Sequence, residues 1–149
     1  MNSCQQTTTI VKKHWGHETW LSNDGRYALK RILFLGGHRT SLQVHQFKHE
    51  TNHVVGGTGK LYYSEDIFDI PKFLEEGMTA RQVEEYEKTL SVLDLAPGVT
   101  FIMKPGQVHR VVAITDLEFV EASSPELDDV FRLQDDQGRT HGRISYEHE

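Results

Sequence analysis

The chain predicts an all-β domain, a sandwich or barrel with a short helical insertion. Three observations carry that expectation. Short runs rich in β-branched and aromatic residues recur along the chain. Gly and Pro punctuate them, with Gly36-Gly37, Pro97-Gly98 and Pro105-Gly106 as turn signals. One acidic, helix-prone stretch, residues 65–89, interrupts the pattern.

Tyr27 to Leu35 and Thr40 to His45 read as strands joined through Gly36-Gly37. His53 to Val55 runs into Gly56, Gly57 and Gly59, and Lys60 to Tyr63 resumes strand character. Leu90 to Leu95, Thr100 to Met103, His109 to Ile114 and Leu117 to Ala122 complete the set. Within the insertion, Pro71 can open a short helix through Leu74. Thr79 can cap a second, with Gln82 as its capping-box partner. The insertion reads either as a solvated decoration or as a lid over an open barrel mouth. No internal repeat or linker is visible, so residues 1–149 are expected to form one domain.

Bulk properties narrow the function. A chain of 149 residues can bury a sizeable core. The net charge of −6 gives a nucleic-acid role no electrostatic support. No apolar run approaches a membrane span, and the N-terminus lacks the apolar core of a secretory signal. Cys4 is the one cysteine and excludes an intrachain disulfide, so a cytoplasmic setting is expected.

The stretch Ser41 to Gly57, SLQVHQFKHETNHVVGG, concentrates the chemistry. It supports two registers. His49-Glu50-x-x-His53 spells the HExxH of zinc proteases, which requires a helix to place both histidines on one face. The following Val-Val-Gly-Gly-Thr-Gly is poor helix material, and Leu42 and Val44 alternate with Gln43 and His45 as in a strand. That register therefore reads as a coincidence. In the second register Gln43 and His45 face together on a strand. A turn through Gln46 to His49 returns Glu50 beside them. Pro105-Gly106 can aim His109 into the same barrel. Two imidazoles, a carboxylate and an amide oxygen suit Zn²⁺ and, less selectively, Fe²⁺, Mn²⁺, Co²⁺ or Ni²⁺.

These residues resemble the two-part motif of cupins. Gly37, Gln43, His45, Glu50 and Gly57 resemble its first part. Gly98, Pro105, Gly106 and His109 resemble its second, with Lys104 where a proline is usual. Within the cupins, the chain is similar to the C-terminal cupin domain of type II mannose-6-phosphate isomerases, often fused to a guanylyltransferase. The likeness rests on His14-Trp15-Gly16, Lys30-Arg31-Ile32, Ser41 to His45, the glutamine at the first ligand position, and the tail from Asp128 to Arg139. It spans about residues 13–139, apart from the insertion. The family's His-His-Arg-Ala is Gln46-Phe47-Lys48-His49 here, and the insertion has no counterpart in the family pattern.

The resemblance implies a cupin barrel, a double-stranded β-helix of jelly-roll type. It implies a metal held by Gln43, His45, Glu50 and His109, with zinc the leading choice. It implies a sugar phosphate as substrate and an aldose–ketose isomerisation through a cis-enediolate. Lys48, Arg132 and Lys30 are then candidate catalytic residues, and Arg139 a candidate substrate contact. Each also has a plainer reading. Arg132 and Arg139 sit among Asp128, Asp129, Asp135 and Asp136 and could form surface ion pairs. Lys30 and Lys48 could be solvated. Trp15 and Trp20 read as packing residues. His141 and His148 carry no metal expectation. Two other functions fit the same barrel: a cupin oxygenase or lyase acting on a small molecule, and a non-catalytic sugar-binding cupin. Cupins commonly pair through sheet edges, so a homodimer is expected.

Overall fold

A computed structural model of the chain describes residues 2–126 and 128–142. Eleven strands and two helices are described. In chain order they are β1 (Thr9–Lys13), β2 (Gly16–Asn23), β3 (Ala28–Phe34), β4 (Leu42–Val44), β5 (Glu50–Gly56), β6 (Gly59–Tyr63), α1 (Ile70–Glu76), α2 (Ala80–Glu87), β7 (Ser91–Leu95), β8 (Thr100–Met103), β9 (His109–Ala113), β10 (Leu117–Ser123) and β11 (Phe131–Gln134). The expected strands are present, with ends displaced by a few residues. β1, β2 and β11 were not anticipated. His148 lies outside the described residues.

The strands form two antiparallel sheets. The first has the order β1-β2-β3-β10-β5-β8 and the second β11-β4-β9-β6-β7. Every strand pairing is antiparallel and most are remote in sequence, so the chain passes repeatedly between the sheets. The inner faces meet over Trp15, Ile32, Phe34, Val54, Leu61, Leu95, Phe101, Met103, Val111, Leu117 and Phe119. Trp15 stacks on Phe34 with ring centroids 4.3 Å apart, so it packs as expected.

Gly57 shows why its position tolerates no side chain. Its φ is +80°, and a Cβ there would collide with the Asp116 carbonyl as β5 turns into β6. Gly106, at φ +85°, lets the turn before β9 fold back so that its N–H donates to the His45 carbonyl at 2.8 Å. That bond ties together the two sequence segments that carry the metal motif.

The helical insertion is neither a lid nor a decoration. Ile70 and Val83 pack with Leu42, Val44 and Val108 in a second apolar cluster, flanked by Phe68, Met78, Tyr86, Phe131 and Leu133. Leu42 and Val44 alternate with Gln43 and His45, so the helices cover the face of β4 opposite the candidate ligands. The lid expectation fails because the outward face of β4 is fully apolar and needs a cover. Thr79 caps α2, accepting from the Gln82 N–H, while the Gln82 side chain accepts from the Thr79 N–H. Pro71 lies in the first turn of α1. No helix among the described residues is long and apolar enough to cross a membrane.

Candidate metal centre

Gln43 lies on β4 and His45 just past its end; Glu50 opens β5 and His109 opens β9. Gln43 pairs directly with His109 across the β4–β9 ladder. The loop 46–49 turns the chain from the second sheet into the first and delivers Glu50 opposite them. His45, Glu50 and His109 are all buried, and their donor atoms lie within 4.8 Å of one another. Glu50 Oε1 is 4.0 Å from His45 Nε2 and 3.6 Å from His109 Nε2.

The two imidazoles are fixed in one tautomer. His45 Nδ1 lies 2.6 Å from the Asp129 carbonyl and His109 Nδ1 3.1 Å from the Gln107 carbonyl. A carbonyl can only accept, so each Nδ1 carries the proton and each Nε2 turns its lone pair toward Glu50. Burial, reinforced by the Lys48 ammonium, pushes His45 down to about 3. Burial likewise lowers His109. Burial acts most strongly on Glu50 and would raise it, but the Lys48 ammonium 3.2 Å away and the two flanking histidines together outweigh it, and the carboxyl is held down at about 2. The set is thus two neutral imidazoles and one carboxylate at neutral pH, the protonation a metal requires. Ligands about 2.0–2.2 Å from one ion stand about 3–3.5 Å apart, slightly closer than these donors. Among the described residues, this donor set fits a divalent metal.

Gln43 adjoins the triad. Its Oε1 accepts from the Ser41 hydroxyl at 2.8 Å, and its Nε2 lies 3.5 Å from His109 Nε2. The HExxH register finds no support. His49 and His53 are exposed, β5 is a strand, and His53 Nδ1 lies 2.7 Å from the Thr100 hydroxyl on the outer face.

The remaining candidates surround one cavity. An inner space of about 80 Å³ is lined by the metal triad and by Lys48, Asn52 and Glu121. An outer space of about 100 Å³ is lined by Lys13, Lys30, Lys48, Arg132 and Arg139. Trp15, Glu18, Lys30, Gln43, His45 and Lys48 line both. Lys30 and Lys48 are therefore not solvated. Lys30 is 6 % exposed and bonds Glu18 Oε1 at 3.1 Å, with its ammonium over the Trp20 ring. Lys48 is 7 % exposed and bridges Glu50 to Glu121, 3.4 Å away. Burial lowers Lys30, against the opposing pull of Glu18. Arg139 does make an ion pair, with Asp135, but that pair is buried against the cavity wall. Arg132 bonds the carbonyls of Thr140 and Gly142.

A cross-strand row organises the first sheet's contribution. Trp20 pairs with Lys30, Lys30 with Glu121, Glu121 with Asn52, and Asn52 with Phe101. Facing partners share one side of the sheet, so this polar row lines the cavity. The next row, Glu18, Ile32, Phe119 and Val54, turns apolar after Glu18 and joins the core. Glu18, Asn52 and Glu121 were not anticipated from sequence. Inward alternation along β5 from Glu50 would have reached Asn52; the other two depend on strand register. Asn52 Oδ1 is buried and has no hydrogen-bond partner among the described residues.

Residues 2–81 match the sequence family described as mannose-6-phosphate isomerase C-terminal. The chain belongs to that family. The matched segment of this cupin includes Gln43, His45 and Glu50 and stops short of His109. Its fold is similar to that of CapF, a capsular polysaccharide assembling protein from Staphylococcus aureus, with a TM-score of 0.62 and 13 % identity over 86 % of this chain and 34 % of that one. The cupin thus spans about a third of CapF. It is also similar to KdgF from Halomonas sp., with a TM-score of 0.58 and 15 % identity over 81 % and 91 % of the two chains. An RmlC-like cupin from Shewanella frigidimarina gives a TM-score of 0.54 and 17 % identity over 83 % and 92 %. A sequence search of curated proteins gives no match.

Proposed function

We propose that this cupin is a metal-dependent sugar-phosphate isomerase interconverting an aldose and a ketose phosphate, with mannose-6-phosphate and fructose-6-phosphate as the first pair to test. The observation that carries the reading is one cavity with a metal-fitting triad at its inner end and a belt of lysines and arginines at its outer end. Family membership supports it.

His45, Glu50 and His109 would hold the ion, zinc being the choice their mixed nitrogen and oxygen donors favour. Gln43 would complete the set through Oε1, since the Ser41 hydroxyl that now donates to Oε1 can equally accept from Nε2. When bound, the ion supplies Lewis-acid polarisation of a carbonyl and stabilises the negative charge that develops beside it. The chain's own groups do the rest. Lys48 and Lys30 present ammonium donors to the substrate oxygens and stabilise the same charge. Asn52 Oδ1 offers an acceptor to a sugar hydroxyl. Arg132 and Arg139, at the outer end, receive the phosphate, for which a planar guanidinium is suited. Apolar neighbours such as Phe101 and Phe119 keep bulk water from the reacting carbons. In this reading the enzyme is cytoplasmic and acts as a homodimer paired through sheet edges.

The test couples metal analysis of purified protein to an NMR assay of hexose-phosphate interconversion, with His45→Ala as control. Turnover by the loaded wild type and none by the variant is expected. Failure of metal-loaded protein to interconvert any hexose or pentose phosphate overturns the reading.

A further inference from the structure

The loop that joins His45 to Glu50 does not hold its own shape. The backbone N–H groups of residues 46–49 all donate to Asp129 or to Ser124, both on the connection from β10 to β11. Asp129 Oδ1 accepts from the Gln46 N–H at 2.9 Å. Asp129 Oδ2 accepts from the Phe47 N–H at 2.6 Å and the Lys48 N–H at 2.9 Å. The Ser124 hydroxyl accepts from the His49 N–H at 2.9 Å, and the Ser124 N–H donates back to the His49 carbonyl at 3.0 Å. The same Asp129 accepts the His45 Nδ1 proton through its main-chain carbonyl at 2.6 Å.

One residue therefore sets the tautomer and ring direction of a ligand, and also the path of the loop to the next ligand. Three backbone donors converging on one carboxylate form a strong, charge-assisted arrangement. The residues just after Asp129 form β11, which pairs with β4 next to Gln43 and places Arg132 in the cavity wall.

We propose that Asp129 is a positioning residue that makes metal binding and docking of the 129–134 segment one coupled event. Docking shapes the His45–Glu50 loop for the ion. The ion, by fixing that loop, holds the segment and with it Arg132. Coupling of this kind is reciprocal, so each event strengthens the other. The inference rests on the metal reading and goes beyond it.

The experiment measures Zn²⁺ affinity of the full chain by competition with a chromophoric chelator. Asp129→Ala keeps the carbonyl that orients His45 and removes the carboxylate that shapes the loop. Loss of such an outer partner weakens metal binding by about 10- to 100-fold, and a loss toward the lower end is expected. Asp129→Asn keeps one acceptor oxygen and should fall between it and wild type. Asp136→Ala breaks the exposed Arg39–Asp136 pair beyond β11 and should stay within about twofold of wild type. Hydrogen exchange supplies the second readout, which stands even if Asp129→Ala fails to fold. Zn²⁺ should slow exchange of the β11 amides in wild type and not in Asp129→Asn. Wild-type affinity in folded Asp129→Ala, a loss in Asp136→Ala equal to that in Asp129→Ala, or unchanged β11 exchange in wild type overturns the coupling. Wild type that takes up no divalent metal overturns the metal reading itself.

Discussion

β4 and β5 both carry candidate ligands on their inward sides, yet their outward sides could hardly differ more. Behind Gln43 and His45, β4 presents Leu42 and Val44, each fully buried beneath the helices. Behind Glu50 and Asn52, β5 presents Thr51, His53 and Val55 to solvent. A strand buried on both faces is held by packing. A strand buried on one face is held by its ladder partners, here β10 and β8. The site therefore takes its imidazole side from a clamped element and its carboxylate side from a sheet whose far face is wet.

The largest expected break in that comparison is chemical. The double variant His45→Ala, His109→Ala should lose at least nine-tenths of bound metal in elemental analysis while its thermal unfolding remains cooperative. Retained metal would remove the triad as the centre. Next comes Leu42→Ala, expected to lower unfolding free energy by about 2–5 kcal/mol in urea titration, because the void forms between β4 and the helices. Glu18 gives a comparable but pH-restricted effect. Burial, the strongest single influence, would raise its carboxyl; the Lys30 ammonium, with Lys13, the Trp20 N–H and Lys48, together outweighs that and holds it down to about 2, against an ordinary value near 4.5. A depressed folded-state value adds stability above pH 4.5 that disappears as pH falls toward 2, by up to about 3 kcal/mol. Glu18→Gln should flatten the acid limb of stability across that window; an unchanged limb would contradict the assignment. Smallest is His53→Ala on the wet face of β5, expected within about 0.5 kcal/mol of wild type and without effect on bound metal. A large metal loss there would revive the HExxH register.

Much of the metal centre was legible because its spacing is local. Gln43, His45 and Glu50 fall within one strand, one turn and the next strand, and the Pro105-Gly106 turn announces His109. Strand alternation also rejected the helix that HExxH needs. Glu18 and Glu121 were not singled out because strand register brings them to the cavity, Glu121 through strands far apart in sequence. Asp129 was missed because it sits on a connection and acts on a loop more than eighty positions earlier. β2 was overlooked for a related reason. Its sequence, GHETWLSN, is polar because it borders the cavity, and all but its last residue are half-buried, so no clean alternation marks it. β11 hid inside the acidic tail, where Arg132 was noticed as a motif letter and not as part of a strand. The insertion was read correctly as helices, but neither of the two roles weighed for it, a solvated decoration or a lid, was the cover over β4 that it forms. Its apolar side matches Leu42 and Val44, which already read as facing away from the ligands.

The position of the Asp129 clamp has a consequence for biosynthesis. A ribosome makes His45, Glu50 and His109 before it makes Asp129. A nascent chain thus exposes a complete set of donors while the loop between the first two still lacks its carboxylate partner. On the proposed coupling, an ion captured at that stage would meet three donors whose connecting loop residue 129 has not yet closed.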